Sequence, residues 1–143
     1  MSQATVNDSG ATIYYRGAAG GSFTLCCVVI DPKNSDVVWL GTGENKSQRS
    51  AHFGDGVYKS TDAGKTWSHI GFRDSQAISR IRIHPTNPDV VWVASFGKYG
   101  APSAERGVFK STDGGKTWKK TLFRDEKTGA VDISVDRKNP NLL

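Results

Sequence analysis

A twelve-residue string occurs twice in this chain of 143 residues, and no other feature restricts its fold as much. Residues 56–67 read GVYKSTDAGKTW and residues 107–118 read GVFKSTDGGKTW, identical at ten of twelve positions with an offset of 51. A second motif recurs three times, as IDPKNSD at 30–36, IHPTNPD at 83–89 and VDRKNPN at 135–141, at offsets of 53 and 52. Val37-Val38-Trp39-Leu40 and Val90-Val91-Trp92-Val93 follow the first two copies. The repeating object is therefore a unit of about fifty residues, and self-similarity at such a period marks a repeat architecture.

Each unit resolves into four short runs rich in β-branched and aromatic residues, the composition of strands. The first run ends at the Asp/His-Pro turn (23–30, 77–83 and, in the third copy, 130–135). The Val-Val-Trp run is the second, residues 57–61 and 108–112 are the third, and the fourth begins at Thr66-Trp67 and Thr117-Trp118. The second run is apolar at successive positions, so both its faces must be covered. Sheets stacked radially between neighbours do this, and four strands per period match a propeller blade. The expected fold is all-β: a partial β-propeller with two complete four-stranded blades and parts of two more. The boundaries predicted are a polar or disordered tail at 1–10 and a second-strand remnant with a Gly-rich junction at 11–22. Complete blades follow at 23–76 and 77–128, and a further, truncated blade starts at 129–143. About half a blade is missing between 11–15 and the strand at 23. The chain is then either a piece of a longer parent or a subunit that closes a ring with copies of itself, since repeats do not bury their faces alone.

Composition excludes several classes. Hydrophobic residues make up 36% and charged residues 23%, a globular profile. The longest apolar runs fall far short of the roughly 20 residues of a membrane helix, and residues 1–10 carry no secretory signal. Cys26 and Cys27 are neighbours whose side chains point to opposite faces of a strand, so they do not pair, and the redox compartment stays open. The formal net charge is +5. Lys116, Lys119 and Lys120 surround Trp118, but no nucleic-acid motif accompanies them, and lysines commonly guard an exposed strand edge. His52, His69 and His84 lack metal-ligand spacing. Neither a metal nor a cofactor is expected.

The duplicated string has a mechanical reading. Asp62 accepts backbone N–H groups of its own turn, Gly64 supplies a positive φ, Ser60 and Thr66 bond across the hairpin, and Trp67 packs its ring beneath the loop. Ser111, Asp113, Gly115, Thr117 and Trp118 repeat the design. These octapeptides resemble the Asp-box, or bacterial neuraminidase repeat, with pattern Ser/Thr-x-Asp-x-Gly-x-Thr-Trp, found in sialidases, xyloglucanases, sortilin-type receptors and a photosystem II assembly factor. The wider unit, with GTGEN and DGVYKSTDAGKTW, is similar to bacterial exported proteins of the sortilin-like and BNR-repeat glycosyl-hydrolase-like class, over about 12–143. The resemblance implies that the Asp-box joins strands three and four on the face away from the ligand. Asp62 and Asp113 are then structural, neither catalytic nor metal-binding. It also implies an extracellular or periplasmic location.

In a meander the turns alternate between two faces, so the loops between strands two and three share the opposite face with the connections between blades. Both of these loops are long and chemically mixed. Glu44, Asn45, Arg49, His52, Tyr99 and Arg106 are the candidate ligand-binding residues, for a glycan or a protein. Glycosidase chemistry takes two flanking carboxylates; Glu44 and Glu105 are available, and nothing in the sequence makes them converge. No sialidase arginine motif and no Ser-His-Asp arrangement is recognisable. The functional expectation is a non-catalytic binding or scaffold segment of a larger exported Asp-box protein. One alternative is part of a sialidase- or xyloglucanase-like hydrolase, and another is an assembly factor for a membrane-protein partner.

Overall fold

The computed structural model describes residues 4–7, 10–13, 24–44, 52–136, 138–140 and 142–143. The chain is all-β. Leu25–Ile30 (β3), Val38–Thr42 (β4), Val57–Ser60 (β5) and Ser68–Gly71 (β6) form one four-stranded antiparallel meander. Ile78–Ile83 (β7), Val91–Ser95 (β8), Gly107–Ser111 (β9) and Lys119–Leu122 (β10) form a second. The two blades share their irregularities: the register shifts between Leu25 and Cys27 in one and between Ile78 and Arg80 in the other. Among the described residues no helix is long and apolar enough to cross a membrane.

The strands predicted to be covered on both faces are so: β4 and β8 are buried at all five positions each. On one side of β8, Val91, Val93 and Phe109 join Cys27, Trp39, Val57, Phe72, Ile78 and Ile81 in a core that spans both blades. On the other side, Trp92, Ala94 and Val108 pack with Ile133 of the third unit. Alternation along a strand thus sends successive side chains into two different inter-blade cores. Cys26 and Cys27 are free thiols, and burial pushes Cys27 up to about 12.

The third unit holds its place without a ladder. Residues 130–135, expected as a first strand, are not a strand among the described residues, because first strands in this fold pair with second strands. They are anchored by Ala130 N–H to the Ser95 carbonyl at 3.1 Å and by Arg82 Nε to the Ile133 carbonyl at 3.1 Å. Arg80 adds an ion pair to Asp132 at 2.8 Å. The turn that follows repeats the pattern of the earlier units: Asp31, His84 and Asp136 donate their N–H to Val37, Val90 and Leu142 at 2.9, 2.9 and 3.1 Å. At the other end, Ala4–Asn7 (β1) and Gly10–Ile13 (β2) pair as a two-stranded hairpin. Residues 4–7 are therefore strand rather than tail, in keeping with their β-branched content. The Gly-rich junction at 14–22 lies outside the described residues.

Candidate loop-face site

The Asp-box turns lie at one end of the meanders and fix the other end as the open one. Ser60 Oγ donates to Asp62 Oδ1 at 2.7 Å and accepts Gly64 N–H at 2.8 Å. Asp62 in turn accepts Thr66 N–H at 2.8 Å and Thr66 Oγ1–H at 2.6 Å. These bonds hold the Asp62 carboxyl at about 2, the Thr66 hydroxyl being the largest cause. Ser111, Asp113, Gly115 and Thr117 reproduce the lattice within a tenth of an ångström, and the Thr117 hydroxyl likewise lowers Asp113. Ala63 N–H bonds Asp36 O at 2.9 Å and Gly114 N–H bonds Asp89 O at 3.0 Å, so each Asp-box leans on the first turn of its own blade. Both turns share one face. The tryptophans diverge. Trp67 donates to Gly64 O of its own loop at 3.0 Å, whereas Trp118 reaches the neighbouring blade and donates to Ile70 O at 3.0 Å.

On the opposite face the loops after β4 and β8 meet the inter-blade connections. The floor is a set of buried hydroxyls. Thr42 Oγ1 donates to Gly56 O at 2.8 Å and accepts Asp55 and Gly56 N–H at 3.0 Å. Its repeat partner Ser95 bonds Ser75 Oγ at 2.9 Å. Across the blade boundary, Gly54 N–H donates to Gln76 O at 2.8 Å, and Gln76 Oε1 accepts Tyr99 N–H at 2.6 Å. The Tyr99 hydroxyl donates to the Glu44 carbonyl of the other blade. Burial raises the Tyr99 hydroxyl pKa.

Above this floor stands an aromatic group. Tyr99 stacks on Phe53 with centroids 5.7 Å apart and planes 26° apart, and its ring also lies 4.9 Å from Phe96. Phe53 is 55% exposed although it is a large apolar side chain. The His52 N–H reaches Glu44 Oε2 at 3.5 Å. The structure thus brings Glu44, His52 and Tyr99 together; Asn45 and Arg49 lie outside the described residues.

Arg106 is placed otherwise. It is 5% exposed, lies against the Phe96 ring, and clasps its own loop by donating to the carbonyls of Phe96, Lys98 and Ala101. A cavity of about 290 Å³ lined by Gly100, Ala101, Pro102, Arg106 and Lys127 opens beside it. Glu105 faces the inter-blade connection, where burial raises its pKa against the opposing N–H groups of Ser75 and Asp74. Phe53, Phe96 and Gln76 were missed by the sequence reading; a Phe in a polar loop flanked by Gly54 was the available signal.

Two four-stranded meanders, each closed by an Asp-box and joined through shared cores, define the class as Asp-box β-propeller. The Sortilin-Vps10 profile (sortilin, neurotensin receptor 3) matches residues 55–143, and the chain belongs to that family. Among curated proteins it is similar to a probable oligoxyloglucan-reducing end-specific xyloglucanase of Neosartorya fischeri, with 28% identity over 108 residues, 73% of this chain and 12% of that protein. It is also similar to xyloglucanase Xgh74A of Acetivibrio thermocellus, with 30% identity over 112 residues, 64% of this chain. The chain spans 12% of the length of each of these relatives. A crystal structure of an ancestral GH74 enzyme superposes with a TM-score of 0.53 at 23% identity, over 76% of this chain and 12% of that one, and shows the same fold.

Proposed function

We propose that this chain is a segment of a xyloglucanase-like propeller hydrolase and that its loop face forms part of the glycan-binding wall. The hydrolase alternative drawn from the sequence is thereby preferred to a non-catalytic binding or scaffold segment of a larger Asp-box protein. The observation that carries the reading is the Phe53–Tyr99 stack, built from the loops of two blades and open on its Phe53 side. Xyloglucan is uncharged, so aromatic faces and hydrogen bonds rather than ion pairs would select it. Glu44 and His52 beside the stack supply polar groups, and the similarity to proteins named as xyloglucanases supports this substrate class. The role of this segment is to bind and orient the chain of sugars.

Titration calorimetry with a xyloglucan heptasaccharide, and with a charged uronic-acid oligomer as control, tests this. Binding of the neutral sugar alone is expected, weakened about fivefold in Phe53→Ala, the loss of one aromatic contact of ~1 kcal/mol. Equal affinity in Phe53→Ala and the parent, or preference for the charged oligomer, would refute it.

A further inference from the structure

Cys26 and Cys27 do not behave as neighbours in a regular strand. The β3–β4 register pairs Leu25 with Thr42 and Cys27 with Gly41, so Cys26 is the extra residue of a β-bulge. The alternation of side chains across the sheet fails at that point. The Cys26 thiol donates to the Ser79 carbonyl at 3.8 Å, and the Cys27 thiol to the Ile78 carbonyl at 3.7 Å. Both sulfurs therefore lie against β7 of the second blade, and the opposite-face arrangement expected from the sequence does not hold. The backbone they meet is itself bulged: Ile78 pairs with Ser95 and Arg80 with Ala94, which leaves Ser79 over. The Ser79 hydroxyl is 2% exposed and has no hydrogen-bond partner among the described residues. Cys27 is 9% exposed and sits over Gly41, where an added Cβ would come within 2.6 Å of its Sγ. Cys26 is only half-buried and gives the pair an outlet to solvent.

Two thiols on one side of a strand can close on each other or on a third atom. Direct closure is strained, since Cα atoms of adjacent residues stand about 3.8 Å apart across a trans peptide, whereas a disulfide takes at least about 4.4 Å. A single large atom between the sulfurs lengthens the ring and relieves that conflict. Zinc fits poorly, because a structural site takes four ligands and no group of three or more ligating side chains occurs among the described residues. Burial also works against any ion that requires lasting thiolates, as it pushes Cys27 up to about 12. A bridge made by exchanging oxygen for sulfur carries no net charge and suits the buried position.

We propose that Cys26 and Cys27 form a chelating site for trivalent arsenic, in which both sulfurs take one arsenic atom where β3 faces β7. For an arsenoxide, R–As=O, two As–S bonds form while the arsenic–oxygen bond and two S–H bonds break. The oxygen leaves as water with both protons, arsenic stays trivalent, and neither sulfur is oxidised. The site is independent of the glycan reading.

The test uses the full, reduced chain and phenylarsine oxide. Native mass spectrometry should show one phenylarsenic adduct per chain, with both thiols closed to alkylation. The adduct should survive excess 2-mercaptoethanol and be removed by 2,3-dimercaptopropanol. Cys26→Ser and Cys27→Ala should each bind at least about a hundredfold more weakly, because the second sulfur acts at a high effective concentration. Cys26→Ser, at the half-buried position, carries this comparison if the buried variant fails to fold. Adjacent cysteines in an unfolded chain can also take arsenic, so urea unfolding supplies the readout specific to the fold. The midpoint of the parent should rise with excess probe, since a ligand held better by the native state stabilises it. An unchanged or lowered midpoint would overturn the proposal, as would a single-cysteine variant that binds as tightly as the parent. So would conversion of the parent by oxidised glutathione into a form lighter by two hydrogens and without free thiols, which would make the pair a vicinal disulfide.

Discussion

Phe72 offers a test of how the blades are joined. It is the first residue of the connection between them, it is 6% exposed, and its backbone is left-handed at φ 65°. Its ring lies 4.8 Å from Phe109 and 5.2 Å from Trp118, edge-on to both. The left-handed backbone costs a residue with a Cβ roughly 1–2 kcal/mol, and the ring contacts in the shared core must offset it. Phe72→Ala removes the ring and keeps the strain, so it should destabilise by about 3–5 kcal/mol. Phe72→Gly removes both. The usual order, in which Ala exceeds Gly, should then reverse, with the Gly variant about 1 kcal/mol more stable than the Ala variant. Equilibrium urea unfolding followed by tryptophan fluorescence reads this directly, because Trp118 touches the ring. With m of about 2 kcal/mol/M, Phe72→Ala should lower the midpoint by roughly 2 M. A loss below about 1 kcal/mol would refute the wedge, and a Gly variant no more stable than the Ala variant would refute the strain argument.

Other outcomes follow from the same structure. Ser60→Ala leaves the buried Gly64 N–H without its acceptor and should cost about 1–3 kcal/mol in urea unfolding. Ala63, left-handed at φ 57°, occupies the place of Gly114, so Ala63→Gly should raise stability by roughly 0.5–1 kcal/mol. Asp62 and Asp113 have depressed folded pKa values, so their contribution is present above the ordinary carboxylate value of 3.8 and is lost as pH falls below it, for Asp62 through about 2. An acid titration of the melting temperature should fall in that window, and less steeply in Asp62→Asn. Trp118→Phe removes the bond to Ile70 O and should cost about 1 kcal/mol, whereas Trp67→Phe, measured alongside, leaves the contact between the blades untouched.

The sequence alone determined the repeat, and with it the fold. Ser60, Asp62, Gly64 and Thr66 interact within one turn, so their spacing already specifies their bonds, and the two copies agree because local geometry is all they need. The two-sided burial of β4 and β8 was legible for a similar reason, since successive apolar residues in a strand must face two partners. What the tertiary structure decided involves residues far apart in the chain. Trp67 and Trp118 stand in octapeptides that differ only at Ala63 and Gly114, yet one bonds its own loop and the other a carbonyl 48 residues away. Arg106 reads as an exposed loop cation, but a ring of nearby carbonyls turned it into a buried clasp. Tyr99 joins Glu44 and Phe53 only because the two blades pack side by side. Local hydrogen bonding is written in adjacent residues; which surface a side chain meets depends on the packing of whole blades.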